Sequence, residues 1–268
     1  MIDLHCHMLP GIDDGAPDMD TALAMARLAV GDGITLTACT PHIYPGLYPN
    51  TAVGIRAAIA TFRERLAEAG IPLQITYGAD THMTPDLLAR FRDGTVPTLH
   101  GTRYFLLEPP HHVAPPRLEE FVFSLVAAGY VPIITHPERL TWIEGRFETF
   151  RSLVKGGAWM QITSGSLTGR FGRAAQYWGE QFLDHGLTHI LATDAHGVER
   201  RAPLLAEGAR AAERWLGAEE ALCCVRTRPQ AILANSLPAS VTPPEGKAAG
   251  VVPARGSRIG RWFDKVMH

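Results

Sequence analysis

The chain has 268 residues, 46% hydrophobic and 19% charged, with a formal net charge of -2; this suits one large domain with a full core and excludes an overall basic footprint for nucleic acid. No apolar run approaches the length of a membrane span, and the first candidate site residues stand too close to Met1 for a secretion signal, so neither membrane insertion nor export is expected. The four cysteines, Cys6, Cys39, Cys223 and Cys224, form neither a CxxC pair nor a disulfide framework, which predicts a cytoplasmic protein.

In chain order, short β-branched segments alternate with stretches of helical period. Strands are expected over 2–5, 34–40, 73–78, 104–108, 131–136, 158–163 and 189–193. Helices are expected over 20–30, where Ala22, Leu23, Ala26, Ala29 and Val30 make an apolar stripe, and over 51–69, with Gly70 as its stop. Further helices are expected over 85–92, 118–128, 147–154, 172–183 and 204–216. This alternation predicts an α/β fold of seven βα units around a parallel sheet. From Leu237 the composition turns to Pro, Gly, Ala and basic residues without an apolar period. The expected organisation is therefore a barrel domain, 1–236, and a flexible C-terminal tail, 237–268, whose last residues, with Trp262 and Phe263, read as a disordered end in preference to one or two amphipathic turns.

In a parallel barrel the reactive groups belong at the carboxyl ends of the strands. Six of the seven predicted strands end in a metal-ligand residue type: His5 and His7, His42, Asp80, Glu108, His136, and Asp194 with His196. Any one of them alone reads as a hydrogen-bonded surface group; the set reads as a site. Side chains alternate along a strand, so the two imidazoles of His5-Cys6-His7 point to one side and reach one ion, and Asp194-Ala195-His196 repeats that geometry. Carboxylates bridge ions and neutral imidazole suits Zn, Mn or Fe, so the mixture predicts a multinuclear catalytic site rather than a structural zinc. His82, His111 and His112 stand at the edge of this set. A thiol-based phosphatase loop is excluded, because it needs arginine six positions after its cysteine, where this chain has Ile12, Pro45, Pro229 and Gln230.

The opening run Met1-Ile2-Asp3-Leu4-His5-Cys6-His7-Met8-Leu9-Pro10-Gly11-Ile12-Asp13-Asp14-Gly15 resembles the PHP-type (polymerase and histidinol phosphatase) metal-dependent phosphoesterases. Within them it is most similar to the bacterial capsular and exopolysaccharide tyrosine-protein phosphatases. The resemblance continues through Cys39-Thr40-Pro41-His42, Tyr77-Gly78-Ala79-Asp80, Leu106-Leu107-Glu108, Thr135-His136-Pro137-Glu138-Arg139, Ser166-Leu167-Thr168-Gly169 and Thr193-Asp194-Ala195-His196. It covers 1–234, nearly everything before the tail.

That resemblance implies a distorted (βα)7 TIM-like barrel of the PHP type, with a site for three divalent ions, often manganese, acting on phosphotyrosine. Carried over position by position, one ion would take His5, His7 and Asp194 with Asp80 as bridge; a second Asp80, Glu108 and His136; the third Asp14, His42 and His196. Asp80 departs from the glutamate usual at that bridge and is shorter by one methylene; His82, two residues on, reads either as a supplementary donor or as a solvent-facing loop histidine. Arg139 and Arg201 are the candidate catalytic cations, since guanidinium makes bidentate contacts to phosphoryl oxygens. The expected chemistry is in-line attack by a metal-bridging hydroxide without a phosphoenzyme. The phenol leaving group, with a pKa of roughly 10, asks little of a general acid. The expected partner is a phosphotyrosine protein, a bacterial tyrosine autokinase. Two other readings are a small-molecule phosphatase such as histidinol-phosphate phosphatase, and a silent metal-binding assembly factor, which only Asp80 favours. Loops 43–50 and 111–117, rich in aromatic, proline and histidine residues, read either as a substrate rim or as ordered turns. The oligomeric state is not legible in the sequence.

Overall fold

The computed structural model describes residues 1–247. Its strands are β1 (Ile2–Cys6), β2 (Leu36–Cys39), β3 (His42–Ile43), β4 (Gln74–Tyr77), β5 (Asp80–His82), β6 (Tyr104–Glu108), β7 (Val131–Thr135), β8 (Trp159–Thr163) and β9 (Ile190–Ala192). They form two parallel ladders, β1-β2-β4 and β3-β5-β6-β7-β8-β9. The second and third expected strands form as β2 and β4, and each is followed, past its expected end, by a further short strand, β3 and β5. Pro41 has no N–H to give to a ladder, so β2 stops at Cys39 and resumes as β3; β4 stops at Tyr77 and resumes as β5 after Gly78 and Ala79. The Asp80 N–H bridges this break, 3.3 Å from Thr40 O and 3.2 Å from Pro41 O.

Ring closure joins β9 to β1. Cys6 bridges Ala195 in parallel, Asp194 N–H donates to His5 O at 2.8 Å, and His7 N–H donates to Ala195 O at 2.9 Å. With β2/β3 and β4/β5 each counted as one stave, the result is the expected barrel, distorted at the two breaks.

The helices are α1 (Met19–Gly31), α2 (Ala52–Glu68), α3 (Leu87–Arg92), α4 (Leu118–Ala127), α5 (Phe147–Lys155), α6 (Ser164–Leu167), α7 (Gly172–Asp184), α8 (Ala206–Leu216), α9 (Ala218–Leu222) and α10 (Arg228–Leu233). The seven expected ones all form. Helices α6, α9 and α10 are not among them; α6 and α9 are too short to show a period in sequence. α1 starts where Asp18 Oδ1 accepts Thr21 N–H at 2.8 Å, an N-cap that satisfies an orphan donor.

Two apolar clusters fill the molecule. The larger lies with the helices; the smaller holds Ile2, Leu4, Tyr104, Leu106, Val131, Ile133, Trp159 and Ile190. Along β6 the same face continues from Tyr104 and Leu106 to Glu108, and along β8 from Trp159 to Gln161, so the interior is apolar below and polar at the strands' carboxyl ends. β1 reaches that polar layer by a different route. Its pairing with β2 carries an extra residue between Asp3 and Cys6, and a bulge of one residue reverses the facing of everything after it. Leu4 therefore belongs to the interior cluster, yet His5 and His7 face the site.

Residues 237–247, assigned by composition to the tail, make contacts with the barrel domain. Buried Arg228 pairs with Glu220 at 2.8 Å and donates to Thr242 O and Pro243 O, both at 3.0 Å. Lys247 Nζ lies 3.8 Å from the centroid of the Trp215 ring. The rest of the expected tail, with Trp262 and Phe263, lies outside the described residues.

Candidate active site

At the carboxyl end of β1, His5 and His7 are fully buried, with their Nε2 atoms 3.1 Å apart. The other nitrogen of each ring is engaged: His5 Nδ1 donates to Gln161 Oε1 and His7 Nδ1 to Asp13 Oδ2, each at 2.7 Å. Those partners fix the tautomer, so both Nε2 lone pairs converge. Asp194 Oδ1 faces the pair, 3.3 Å from His5 Nε2 and 3.5 Å from His7 Nε2, and Asp80 Oδ2 is 3.4 Å from His5 Nε2. Cys6 lies between the histidines, its thiol 3.8 Å from Ala195 O.

The shortened Asp80 reaches the centre. Its Oδ2 also lies 3.5 Å from His42 Nδ1 and 4.0 Å from His136 Nε2, while Thr135 Oγ1 donates to Oδ1 at 3.4 Å. Glu108 is 3.5 Å from His42 Nδ1 through Oε2 and 3.8 Å from His136 Nε2 through Oε1. On the outer side, Asp14 Oδ1 is 3.5 Å from His42 Nε2 and 3.4 Å from His196 Nε2. His196 Nδ1 donates to Asp194 O at 2.9 Å, which leaves Nε2 as the free donor atom.

Three groups thus bring ligand atoms within 4.8 Å of one another: His5, His7 and Asp80; His42, Asp80 and Glu108; and His7, Asp14, His42 and His196. Asp80 Oδ2, His42 Nδ1 and His196 Nε2 are buried without a hydrogen-bond partner. Orphaned buried donors and acceptors are costly, and these converge as cation ligands do, so the residues fit the expected metal ions.

Asp194 divides its two oxygens. Oδ1 faces the histidines, and Oδ2 accepts from Arg139 Nη1 and, at 2.6 Å, from Arg201 Nη2. Arg139 also lies over the Phe171 ring, 4.4 Å from its centroid. His136, Asp194 and Arg201 have φ of 35°, 50° and 52°, left-handed values that cost non-glycine residues energy and gather at functional sites.

Charges follow from this packing. Burial would push the Asp80 and Asp194 carboxyls up, but the facing His5 ring, and for Asp194 the two guanidinium groups, hold both below the usual range. Burial and nearby Arg139 drive His136 well below an ordinary histidine, and burial with His7 takes His196 to about 4. Such neutral imidazoles are ready ligands. Burial opposes charge on His7 too, yet Asp13 and Asp194 raise it to about 10; an ion at Nε2 replaces that proton.

Three supporting residues escape sequence reasoning. Asp13 accepts from His7 and from the His42 and Gly15 backbone N–H groups at 3.0 Å. Gly15 is required there, since a Cβ would stand 2.1 Å from His7 O. Gln161 comes from the one strand lacking a ligand type at its end. Buried Asp3 accepts the Thr193 N–H at 3.0 Å, tying β1 to the segment that carries Asp194. The adjacent acidic pair in the opening motif was a signal for Asp13; Gln161 and Asp3 had none. His82 stays at the edge, its Nδ1 3.9 Å from Glu108 Oε2, and His111 and His112 pair with each other, ring centroids 4.7 Å apart.

Residues 1–234 match the family described as capsular polysaccharide synthesis, CpsB/CapC. The chain is 36% identical over 219 residues to tyrosine-protein phosphatase YwqE of Bacillus subtilis (strain 168), covering 82% of this chain and 86% of that one. It is 26% identical over 242 residues to tyrosine-protein phosphatase CpsB of Streptococcus pneumoniae, covering 88% and 100%. A solved structure described as YwqE from Bacillus subtilis and CpsB from Streptococcus pneumoniae, unique metal-dependent tyrosine phosphatases, superposes with a TM-score of 0.85 at 34% identity, covering 88% of this chain and 96% of that one. A β-aspartyl dipeptidase from Fervidobacterium islandicum AW-1, at TM-score 0.57 and 14% identity over 87% of this chain and 72% of that one, shares the fold alone.

Proposed function

The chain belongs to the CpsB/CapC family, and from that membership and the converging ligand set we propose that it is a metal-dependent protein-tyrosine phosphatase of capsular or exopolysaccharide biosynthesis. The observation that carries the reading is the buried His5–His7 pair, Nε2 atoms 3.1 Å apart, facing the carboxylates of Asp80 and Asp194.

We assign His5, His7 and Asp194 with Asp80 to one ion, Asp80, Glu108 and His136 to a second, and Asp14, His42 and His196 to a third. His42 presents one nitrogen to each of the last two groups. Divalent ions held there, manganese by our reading before iron or zinc, supply Lewis acidity at the phosphoryl group and lower the pKa of the attacking water. Gln161 and Asp13 hold the His5 and His7 rings in the ligating tautomer. Arg139 and Arg201 orient the phosphoryl group and neutralise charge that grows on its oxygens; Arg201 Nε, buried and without a partner, is a donor left over for it. The catalytic unit is 1–236, with 237–268 as an appendage.

The substrate is a phosphotyrosine protein, by our reading a bacterial tyrosine autokinase, met in the cytoplasm. Four free cysteines support a reducing compartment, and among the described residues no helix is long and apolar enough to cross a membrane. The silent-barrel reading rested on Asp80, whose carboxylate reaches the cluster. With manganese, the purified protein is expected to hydrolyse a phosphotyrosine peptide faster than histidinol phosphate. Equal or slower turnover overturns the protein-phosphatase reading; metal binding with no hydrolysis of the peptide or of para-nitrophenyl phosphate overturns the enzyme.

A further inference from the structure

On the Glu108 side of the ligand cluster the surface opens into a slot of about 280 Å³, lined by Tyr44, His82, Glu108, Pro110, His111 and Val113 among others. Both walls are pinned. Tyr44 heads the turn Tyr44-Pro45-Gly46-Leu47, in which its carbonyl accepts Leu47 N–H at 3.1 Å and Tyr48 N–H at 2.8 Å. Pro45 presets the first corner and Gly46 takes φ 81°, the combination that a type II turn requires. The Tyr44 ring then rests on His82, centroids 4.0 Å apart. Across the slot, Trp142 Nε1 donates to Pro110 O at 2.9 Å, and Thr141 donates to His111 O through N at 3.1 Å and Oγ1 at 3.2 Å.

The floor is Glu108, whose Oε2 is 3.5 Å from His42 Nδ1, so the slot runs directly into the ligand cluster. Its volume is at the small end for ligand pockets, enough for one ring. Aromatic, imidazole and proline faces favour a π-face between them, and no lysine or arginine lines the slot to hold a second anion. Nδ1 of His82 and of His111 are both buried and unpartnered.

We infer that this slot receives the phenyl ring of phosphotyrosine, with Tyr44 and His82 on one face and Pro110 and His111 on the other, and that it sets a preference for aryl over alkyl phosphates. The inference rests on the phosphotyrosine reading. It takes the substrate-rim reading of loops 43–50 and 111–117 to specific residues: Tyr44 comes from the first of those loops, His111 and Val113 from the second.

Calorimetric binding of phenylphosphonate and methylphosphonate to the manganese-loaded full chain tests it without depending on turnover. Phenylphosphonate is expected to bind about tenfold tighter or better, and Tyr44→Ala to cut that ratio about fivefold. Val113→Trp, which lays an indole across the slot, should cut it further. Tyr44 and Val113 are 37% and 67% exposed, so neither substitution disturbs the core. A ratio near one in the unaltered protein, or an unchanged ratio in both variants, overturns the slot while leaving the phosphoesterase reading standing. Failure of both phosphonates to bind the manganese-loaded chain brings down the slot and the phosphoesterase reading together.

Discussion

Asp13 Oδ2 lies 2.7 Å from His7 Nδ1 and accepts the His42 N–H at 3.0 Å, so one carboxylate orients the ring that follows β1 and the backbone of β3. Partners of this kind fix ligand tautomer and basicity, and their loss costs roughly 10–100-fold in metal affinity. Asp13→Asn is expected to weaken binding of the ion nearest His7 by that factor. Metal titration followed by elemental analysis measures it; full retention at equal free metal would remove Asp13 from the site's support.

Arg139 serves both Asp194 and the Phe171 ring, which a lysine cannot do with one ammonium group. Arg139→Lys is expected to lower kcat on a phosphotyrosine peptide by roughly a hundredfold, the usual effect of losing a preorganised donor at developing charge. A loss below threefold would mean that Arg139 does not face the phosphoryl group.

Thiol chemistry has no part in the reading. Cys6 and Cys39 are fully buried, and burial raises both thiols above their ordinary range. Iodoacetamide at neutral pH should therefore leave phosphatase activity intact, whereas a chelator should abolish it and added manganese restore it. Inactivation by iodoacetamide alone contradicts this.

His189 is buried against Trp159, takes the Met160 N–H at 3.1 Å, and is lowered to about 3 by burial and by Arg228. Unfolded, it titrates near its ordinary value of about 6.5, so between those two pH values the unfolded chain binds the extra proton. Its contribution is therefore intact above pH ~6.5 and is lost on acidification, at about 1.4 kcal/mol per pH unit. Urea unfolding from pH 6 to 4 should show a slope shallower by about one proton in His189→Gln than in the unaltered chain. Parallel slopes would contradict the neutral buried ring.

Buried Arg228 pairs with Glu220 and holds the carbonyls of Thr242 and Pro243. Arg228→Met leaves Glu220 buried without its partner and is expected to cost about 3–5 kcal/mol. Denaturant unfolding reads it out; a change under about 1 kcal/mol would show that Glu220 is not left as an uncompensated buried charge.

Much of the framework was legible because periodicity is local. The alternation of β-branched and helical runs placed all seven staves, and the strand-end rule collected His5, His7, His42, Asp80, Glu108, His136, Asp194 and His196. Illegible features were those set by register or by a distant partner. The breaks after Cys39 and Tyr77 depend on which neighbours the missing ladder bonds would have met. The reach of Asp80 depends on its N–H being held by Thr40 and Pro41 across the break.

By itself, the sequence determined which chemical groups stand at the mouth of the barrel, since side-chain alternation and the strand-to-loop switch are properties of short segments. Only the tertiary structure decided that they converge. One extra residue in β1 turns His5 and His7 inward, and ring closure sets Asp3 on Thr193 and Gln161 on His5, pairs 190 and 156 residues apart. Such contacts depend on the closed ring, and no local period encodes them.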